Sequence, residues 1–338
     1  MRKLLLILLI PMIGFGQNVN IPDANFKAYL LGNNAINTNG DAEIQVSEAA
    51  VFLGSINCYN LNISDLTGIE AFSALTYLNC KYNQLTSIDI SNNLALISLE
   101  CVNNQITSLD LSNNLALTNL DCSSNQLTSL NVSNNTNLIT LRCNNNQLTN
   151  LDVSQNTILG YFDCSINQLT SLDVSNNLAL TNLGCQNNQL TSLNVSNNTA
   201  LNEILCDYNQ LISLDISNNL ALYHFQCENN QLTSLNVSIG SSSLIDGSFL
   251  ADNNPNLFCI NVDNVAWATA NWTVANGSID PQHFFSTNCP PPSAIQEHAT
   301  NKELLKVTDL LGRETKQTNQ PLFYIYDDGT VEKRIVIE

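Results

Sequence analysis

The sequence predicts a mostly β solenoid, and three observations carry that prediction. Cys80, Cys101, Cys122, Cys143, Cys164, Cys185, Cys206 and Cys227 recur at an unbroken spacing of 21 residues. Leu75, Leu96, Leu117, Leu138, Leu159, Leu180, Leu201 and Leu222 keep the same period, which aligns eight units of the form LxxLxCxxNQLTSLDVSNNxx. Self-similarity at a fixed period marks stacked units, none of which can bury its apolar face alone. Each unit is itself double: LTNLDCSSNQ and LTSLNVSNNTN are near copies, so a 10-residue half and an 11-residue half carry the same leucine spacing. Helix is a poor reading here, because halves filled with Asn, Ser and Thr have low helical propensity and no 3.6-residue apolar stripe.

The chain opens MRKLLLILLIPMIGFGQ, with Arg2 and Lys3 ahead of an apolar run from Leu4 to Ile13 and small residues after it. That pattern reads as a secretory signal over residues 1–16, too short to span a bilayer. Residues 17–55 predict a helical N-terminal cap: DANFKAYLLGN is one helix with Asp23 as N-cap, and VSEAAVFL is another. The intervening NTNGDAEIQVSE resembles an EF-hand loop, with Asn37, Asn39, Asp41 and Glu43 at its first, third, fifth and seventh places and Glu48 at its twelfth. Calcium is the one cofactor this implies, held weakly because the charge count is low and Ala42 stands where the loop's glycine belongs.

Residues 56–242 are the repeat region. In a coil of this period the leucines, and the residue two after the second leucine, point inward and stack on their equivalents at ~4.8 Å. The cysteines then form a buried column of small apolar side chains. Strand spacing holds their Cβ atoms beyond the ~3.5 to 4.5 Å of a disulfide, and burial keeps the thiols inert. Zinc would need ligands converging from several directions rather than a line. Asn83, Asn104, Asn125, Asn146, Asn167, Asn188, Asn209 and Asn230 recur just after the cysteine, where an amide can satisfy backbone groups of the turn. Phe162 and Phe225 replace the second leucine as core adjustments.

The unit LxxLxCxxN resembles the leucine-rich repeat pattern, with Cys in place of the third leucine, and its length is similar to the short 21-residue class known from secreted Bacteroidetes proteins. The resemblance implies a coil of about nine turns with a short extended segment on both sides. The second half reads QLTSLDVSNN almost without variation, whereas outward positions of the first half change from turn to turn. A uniform face beside a varied one predicts scaffold and reader, with Tyr77, Lys81, Arg142, Tyr161, Tyr223 and His224 as candidate binding residues. Asp89, Asp110, Asp152, Asp173 and Asp215, interspersed with Asn131, Asn194 and Asn236, form a column on the other side. Calcium bridging there is possible but unforced.

After Val237 the pattern breaks, and residues 243–289 read as an aromatic-rich C-terminal cap in which Trp267 and Trp272 cover the last coil. Cys259 and Cys289 stand outside the ladder and are the candidate disulfide of an exported chain. Residues 290–301, CPPPSAIQEHATN in their setting, are a linker by composition. Residues 302–338 change character, with six Lys plus Arg and a hairpin signal at Asp328-Gly329. Through KVTDLLGRET, PLFYIYDDG and the basic pair before IVIE, this tail is similar to the β-sandwich-like C-terminal sorting domain of the type IX secretion system. That implies passage through the type IX machinery to the outer-membrane surface or the medium.

The 338-residue chain has a formal charge of -18, and between Gln17 and Asn301 only Lys27, Lys81 and Arg142 stand against 22 acids. Such a surface repels phosphate backbones and anionic lipid, which excludes nucleic acid as a partner. No later stretch is apolar enough to cross a membrane, and the three histidines, His224, His283 and His298, lie in different regions with no nucleophile or paired acid beside them, so no enzyme is expected. The reading is a secreted or cell-surface module of adhesin or receptor type that binds an extracellular protein or glycan. A structural coat protein is the alternative, and the threonine column at Thr86, Thr107, Thr128, Thr149, Thr170, Thr191 and Thr233 raises a third, ice binding.

Overall fold

The computed structural model describes residues 17–240 and 249–290 and, in the tail, 304–308, 314, 321–326 and 331–335. The segment read as a signal sequence, most of the linker and the Asp328-Gly329 turn lie outside the described residues. The chain divides into two compact units, Met1–Cys289 and Pro290–Glu338.

The first unit begins with α1 (Ala24–Leu31), where Asp23 Oδ1 accepts from the N–H groups of Asn25 and Phe26, and α2 (Val46–Val51). The coil then lays down β1 (Ser55–Asn57), β2 (Tyr77–Asn79), β3 (Ser98–Glu100), β4 (Asn119–Asp121), β5 (Thr140–Arg142), β6 (Tyr161–Asp163), β7 (Asn182–Gly184) and β8 (Glu203–Leu205). It continues through β9 (Ser213–Asp215), β10 (His224–Gln226), β11 (Ser234–Asn236), β12 (Phe249–Leu250), β13 (Cys259–Asn261), α3 (Val265–Asn271) and β14 (Phe284–Ser286). Ten strands, β1 to β8 with β10 and β12, form one parallel sheet in which equivalent residues pair: Leu99 with Leu120, Leu120 with Leu141, Leu141 with Phe162.

Each strand of the coil is two or three residues long because the coil must turn at once. Two residues past each ladder cysteine the backbone enters the left-handed region, at Tyr82, Asn103, Ser124, Asn145, Ile166, Asn187, Tyr208 and Asn229, with φ between 51° and 57°. The next residue, an Asn, locks the turn. Asn146 Nδ2 donates to the carbonyls of Cys122 and Cys143, and its Oδ1 accepts from Leu127 N. All nine cysteines from Cys58 to Cys227 are buried and free. Cys58 thus joins the ladder one step before the regular period begins, 22 residues ahead of Cys80. Fully burying each stacked Leu or Phe contributes about 1.5–3 kcal/mol, repeated coil after coil.

The coil runs further than the nine turns expected. β12 lies in the segment read as a cap, and after it Ala251 occupies the ladder position while Asn254 repeats the turn lock, donating to Cys227 O and Ala251 O. The insertion between Val237 and Phe249 breaks the period without ending the winding. Extended segments on the opposite side pair only near that end, as a four-stranded sheet β14-β13-β11-β9. On that side of an earlier coil Thr107 N donates to Thr86 O at a long 3.4 Å, whereas Cys101 N reaches Asp121 O at 2.8 Å on the other side.

Both apolar ends are covered. Phe26, Leu30, Ile36 and Ile44 are fully buried beneath the first coil, and Asn57 N–H on the edge strand donates to the Tyr29 hydroxyl. At the far end Trp272 stacks on Phe249 with ring centroids 3.9 Å apart, Trp267 meets it edge-on, and Cys259 is joined to Cys289. The described residues of the second unit form one antiparallel sheet of β15 (Leu304–Thr308), β16 (Pro321–Tyr326) and β17 (Val331–Ile335).

Candidate binding face

Outward positions of the ten-stranded sheet alternate with the buried leucines, so each strand presents its first and third residues, and the residue after the cysteine extends the same face. In-register pairing turns these into three columns. At the N-terminal end their side chains engage one another. Lys81 Nζ pairs with Glu100 Oε2 and lies 4.0 Å from Asp121 Oδ2. Burial works to lower the Lys81 pKa, and the hydrogen bond and charge of Glu100 outweigh it and raise it. Burial and then the Glu100 charge raise the Tyr77 phenol.

Arg142 pairs in register with Asp121 on one side and Asp163 on the other, and its guanidinium carbon sits 4.2 Å from the centroid of the Tyr161 ring. A shallow depression of about 150 Å³ runs between Lys81 and Arg142, floored by Ser98, Asn119 and Thr140. Arg142 and Tyr161 therefore form one preorganised cation–aromatic unit.

The remaining candidates are on the same face but not in the same cluster. Tyr77 is three strand spacings, ~14 Å, from Arg142, and His224 lies ~14 Å beyond Tyr161. His224 Nδ1 is 3.8 Å from Glu203 Oε1, and Tyr223 is 52% exposed. Two tyrosines that the repeat pattern did not single out flank the first cluster: Tyr59 and Tyr82, each 48% exposed, meet edge to face at 5.2 Å. Tyr82, Ile166 and Tyr208 are large exposed side chains at left-handed backbone positions that favour Asn or Gly, at a cost on the order of 1 kcal/mol each.

The EF-hand-like loop is arranged differently from a calcium cage. Glu48 Oε1 accepts from Thr38 N, Thr38 Oγ1 and Asn39 N, and its Oε2 accepts from Gln45 N to cap α2. Asp41 accepts from Glu43 N and from the side-chain amides of Asn39 and Gln45, Asn37 Oδ1 accepts from Gly40 N, and Glu43 pairs with Lys27 at 2.8 Å. Calcium would have to displace these donors, so the residues present do not fit the ion. Among the described residues no group of three or more His, Cys, Asp or Glu is placed to hold a metal. The Asp column on the other side caps its own turns: Asp89, Asp110, Asp152, Asp173 and Asp215 each accept from the N–H of the Ser two residues on. The ladder thiols are inert by environment, burial pushing Cys58 and Cys101 up to about 12.

No family model matches the chain. Over 72 residues it is 40% identical to internalin J of Listeria monocytogenes, a segment covering 21% of this chain and 8% of that protein. The solved functional domain of InlJ from the same organism, described as including a cysteine ladder, superposes with a TM-score of 0.54 at 29% identity, covering 73% of this chain and 67% of that one. A leucine-rich repeat protein of Leptospira interrogans superposes at 0.52 with 21% identity, covering 71% and 62%. No helix among the described residues is long and apolar enough to cross a membrane. Repeat, buried cysteine column and structural neighbours agree: the chain is a leucine-rich repeat solenoid, similar to the cysteine-ladder domain of InlJ.

Proposed function

We propose that this solenoid is a binding module of adhesin or receptor type, working at the outer-membrane surface or in the medium after export through type IX machinery, and holding an extracellular protein or glycan on its ten-stranded face. One observation carries the reading. Arg142 and Tyr161 are held against each other on a face whose other coils vary, and the edge of that face keeps Tyr82, Ile166 and Tyr208 exposed at strained backbone positions. A fold gains nothing from exposed bulk at those positions, whereas a ligand would.

The dimensions fit. Nine spacings of ~4.8 Å between the ten strands and about six residues of width at ~3.3 Å give roughly 850 Å², close to the ~800 Å² that one partner contributes to a stable interface. Aromatic and Arg side chains are the commonest energetic anchors of such patches. The test is a screen of the full chain against arrays of glycans and extracellular proteins, repeated with Tyr77→Ala, Arg142→Ala, Tyr161→Ala and His224→Ala combined. The expected result is loss of affinity by a hundredfold or more, on the order of two hot-spot residues. Unchanged affinity would overturn the reading.

A further inference from the structure

The two ends of the face differ in how their charges are met. At the N-terminal end Lys81 and Arg142 stand among Glu100, Asp121 and Asp163. From residue 143 through 301 the chain contains neither Lys nor Arg. Yet in that stretch the column that follows the ladder, after Ser165 and Gln186, ends in three acids: Asp207, Glu228 and Asp252.

They lie on successive coils, one residue past Cys206, Cys227 and Ala251. Tyr208 N donates to Glu228 O and Asn229 N to Asp252 O, each at 3.1 Å, which keeps the three in register at ~4.8 Å. Asp207 is only 8% exposed, and among the described residues no other residue donates a hydrogen bond to its carboxylate. Glu228 Oε2 is buried without a partner. Asp252 Oδ2 has the neutral amide of Asn253 at 2.7 Å. The nearby imidazole gives no counter-charge: His283 lies 3.5 Å from Asp280 Oδ2, and burial favours its neutral form.

Three partly dehydrated carboxylates in a row repel one another and lack the water that would screen them. The exposed Asp column on the opposite side shows the contrast, since each of its carboxylates takes a Ser N–H. A row at strand spacing is unlike a metal cage, whose ligands converge on one point. It matches donors laid out in a line, and a guanidinium fork can bridge two neighbouring carboxylates.

We propose that the Asp207–Glu228–Asp252 row is a docking site for an arginine- or lysine-bearing segment of a protein partner. This deepens the functional reading above and rests on it. The exposed ring of Tyr208, 53% accessible and next in sequence to Asp207, suits stacking by a guanidinium.

The test uses the full chain and a fluorescent Gly-Arg-Gly-Arg-Gly peptide at pH 8, read by anisotropy. Asp207→Asn with Glu228→Gln is compared with Asp152→Asn and Asp173→Asn, which remove the same charge from the opposite side. The first pair is expected to weaken binding by at least about tenfold and the second by less than about twofold, the scale of one charge-assisted hydrogen bond. Near-ultraviolet circular dichroism checks that both variants keep the fold. Equal weakening would show attraction to bulk charge alone and overturn the site, as would displacement of the peptide by micromolar calcium. In the wild type, binding should also weaken as pH falls from 8 to 6, because Glu228, faced by Asp207 and Asp252 with Asp280 and His283 beyond, must stay ionised. A flat profile would overturn the proposal. The Tyr77, Arg142, Tyr161 and His224 variant separates the two readings: if it leaves every partner bound while the peptide result holds, only the wider reading fails.

Discussion

The solenoid carries two asparagine ladders, and substituting one member of each predicts unequal losses. Asn146 uses both ends of its amide: Oδ1 accepts from Leu127 N, and Nδ2 donates to Cys122 O and Cys143 O. Asn156 is fully buried but uses one end, Nδ2 donating to Val132 O at 3.1 Å and Asn135 O at 2.8 Å while its Oδ1 has no partner. Asn146→Ala therefore strands the N–H of Leu127, while Cys122 O and Cys143 O each keep a second amide donor, from Asn125 and Asn167. Asn156→Ala strands no backbone group, since Val132 O still accepts from Asn135 N and Asn135 O from Leu138 N, and it removes one polar atom that was already stranded. At about 1–3 kcal/mol for a buried unpaired group and about 0.5–1.5 kcal/mol for each lost hydrogen bond, Asn146→Ala should cost about 2–6 kcal/mol and Asn156→Ala, which loses two bonds and one stranded atom, about 0–2. Guanidinium unfolding and amide exchange at residues 119–165 would measure both, exchange being needed because long repeat arrays do not always unfold in one step. If Asn156→Ala proves the more damaging of the two, the assumption that stranded groups dominate is wrong.

Three further outcomes follow from the same geometry. Glu228 is raised to about 7, by burial first and then by Asp207 and Asp252, from an unperturbed 4.5. A carboxyl that binds its proton more tightly when folded loses stability as pH climbs from 4.5 to 7, so Glu228→Gln should gain about 1–2 kcal/mol over wild type at pH 8, after allowance for solvent screening, and nothing at pH 4; parallel melting profiles would count against this. Ellman's reagent should find almost no thiol in the native chain and nine after denaturation, and rapid native labelling would contradict the ladder's burial. Replacing Cys259 and Cys289 by Ala should cost about 3.5 kcal/mol on chain-entropy grounds for their separation of 30 residues, seen first as faster exchange in residues 259–289.

What the sequence makes legible here is whatever repeats. A period of 21 residues names the inward leucines and the cysteine column, because stacking forces equivalent side chains into one environment. It does not say which of two adjacent asparagines faces inward: in SNNL, Asn92 is exposed and Asn93 buried, a difference set by the coil's closure onto Ile69 O and Phe72 O. Tyr59 escaped notice because its coil is one residue longer than the rest. The far end of the coil was hidden by an insertion, although Ala251 and Asn254 keep the positions that matter. In the N-terminal loop the spacing puts Glu48 at the twelfth place of a calcium loop, whereas in the structure it is the third residue of α2 and its carboxylate reaches back to accept from Gln45 N, a capping role the loop pattern does not reveal.

A strictly periodic scaffold also constrains where recognition can reside. Any residue that fits the repeat is explained by the repeat, so specificity must sit where a column departs from it. On the ten-stranded face those departures are ordered: Lys81 and Arg142 toward the first coils, Asp207, Glu228 and Asp252 toward the last. Adjacent coils are ~4.8 Å apart, less than a Debye length, so each charge is felt by its neighbours, while the two ends, some six coils apart at ~29 Å, are electrically independent at physiological salt. A cationic partner would be drawn to the last coils, whose acids have no counter-charge, whereas at the first coils Lys81 and Arg142 already stand among Glu100, Asp121 and Asp163. A ligand whose positive charge is confined to one end would therefore bind in one orientation along about 30 Å, and reversing it end for end should weaken its binding without altering its composition.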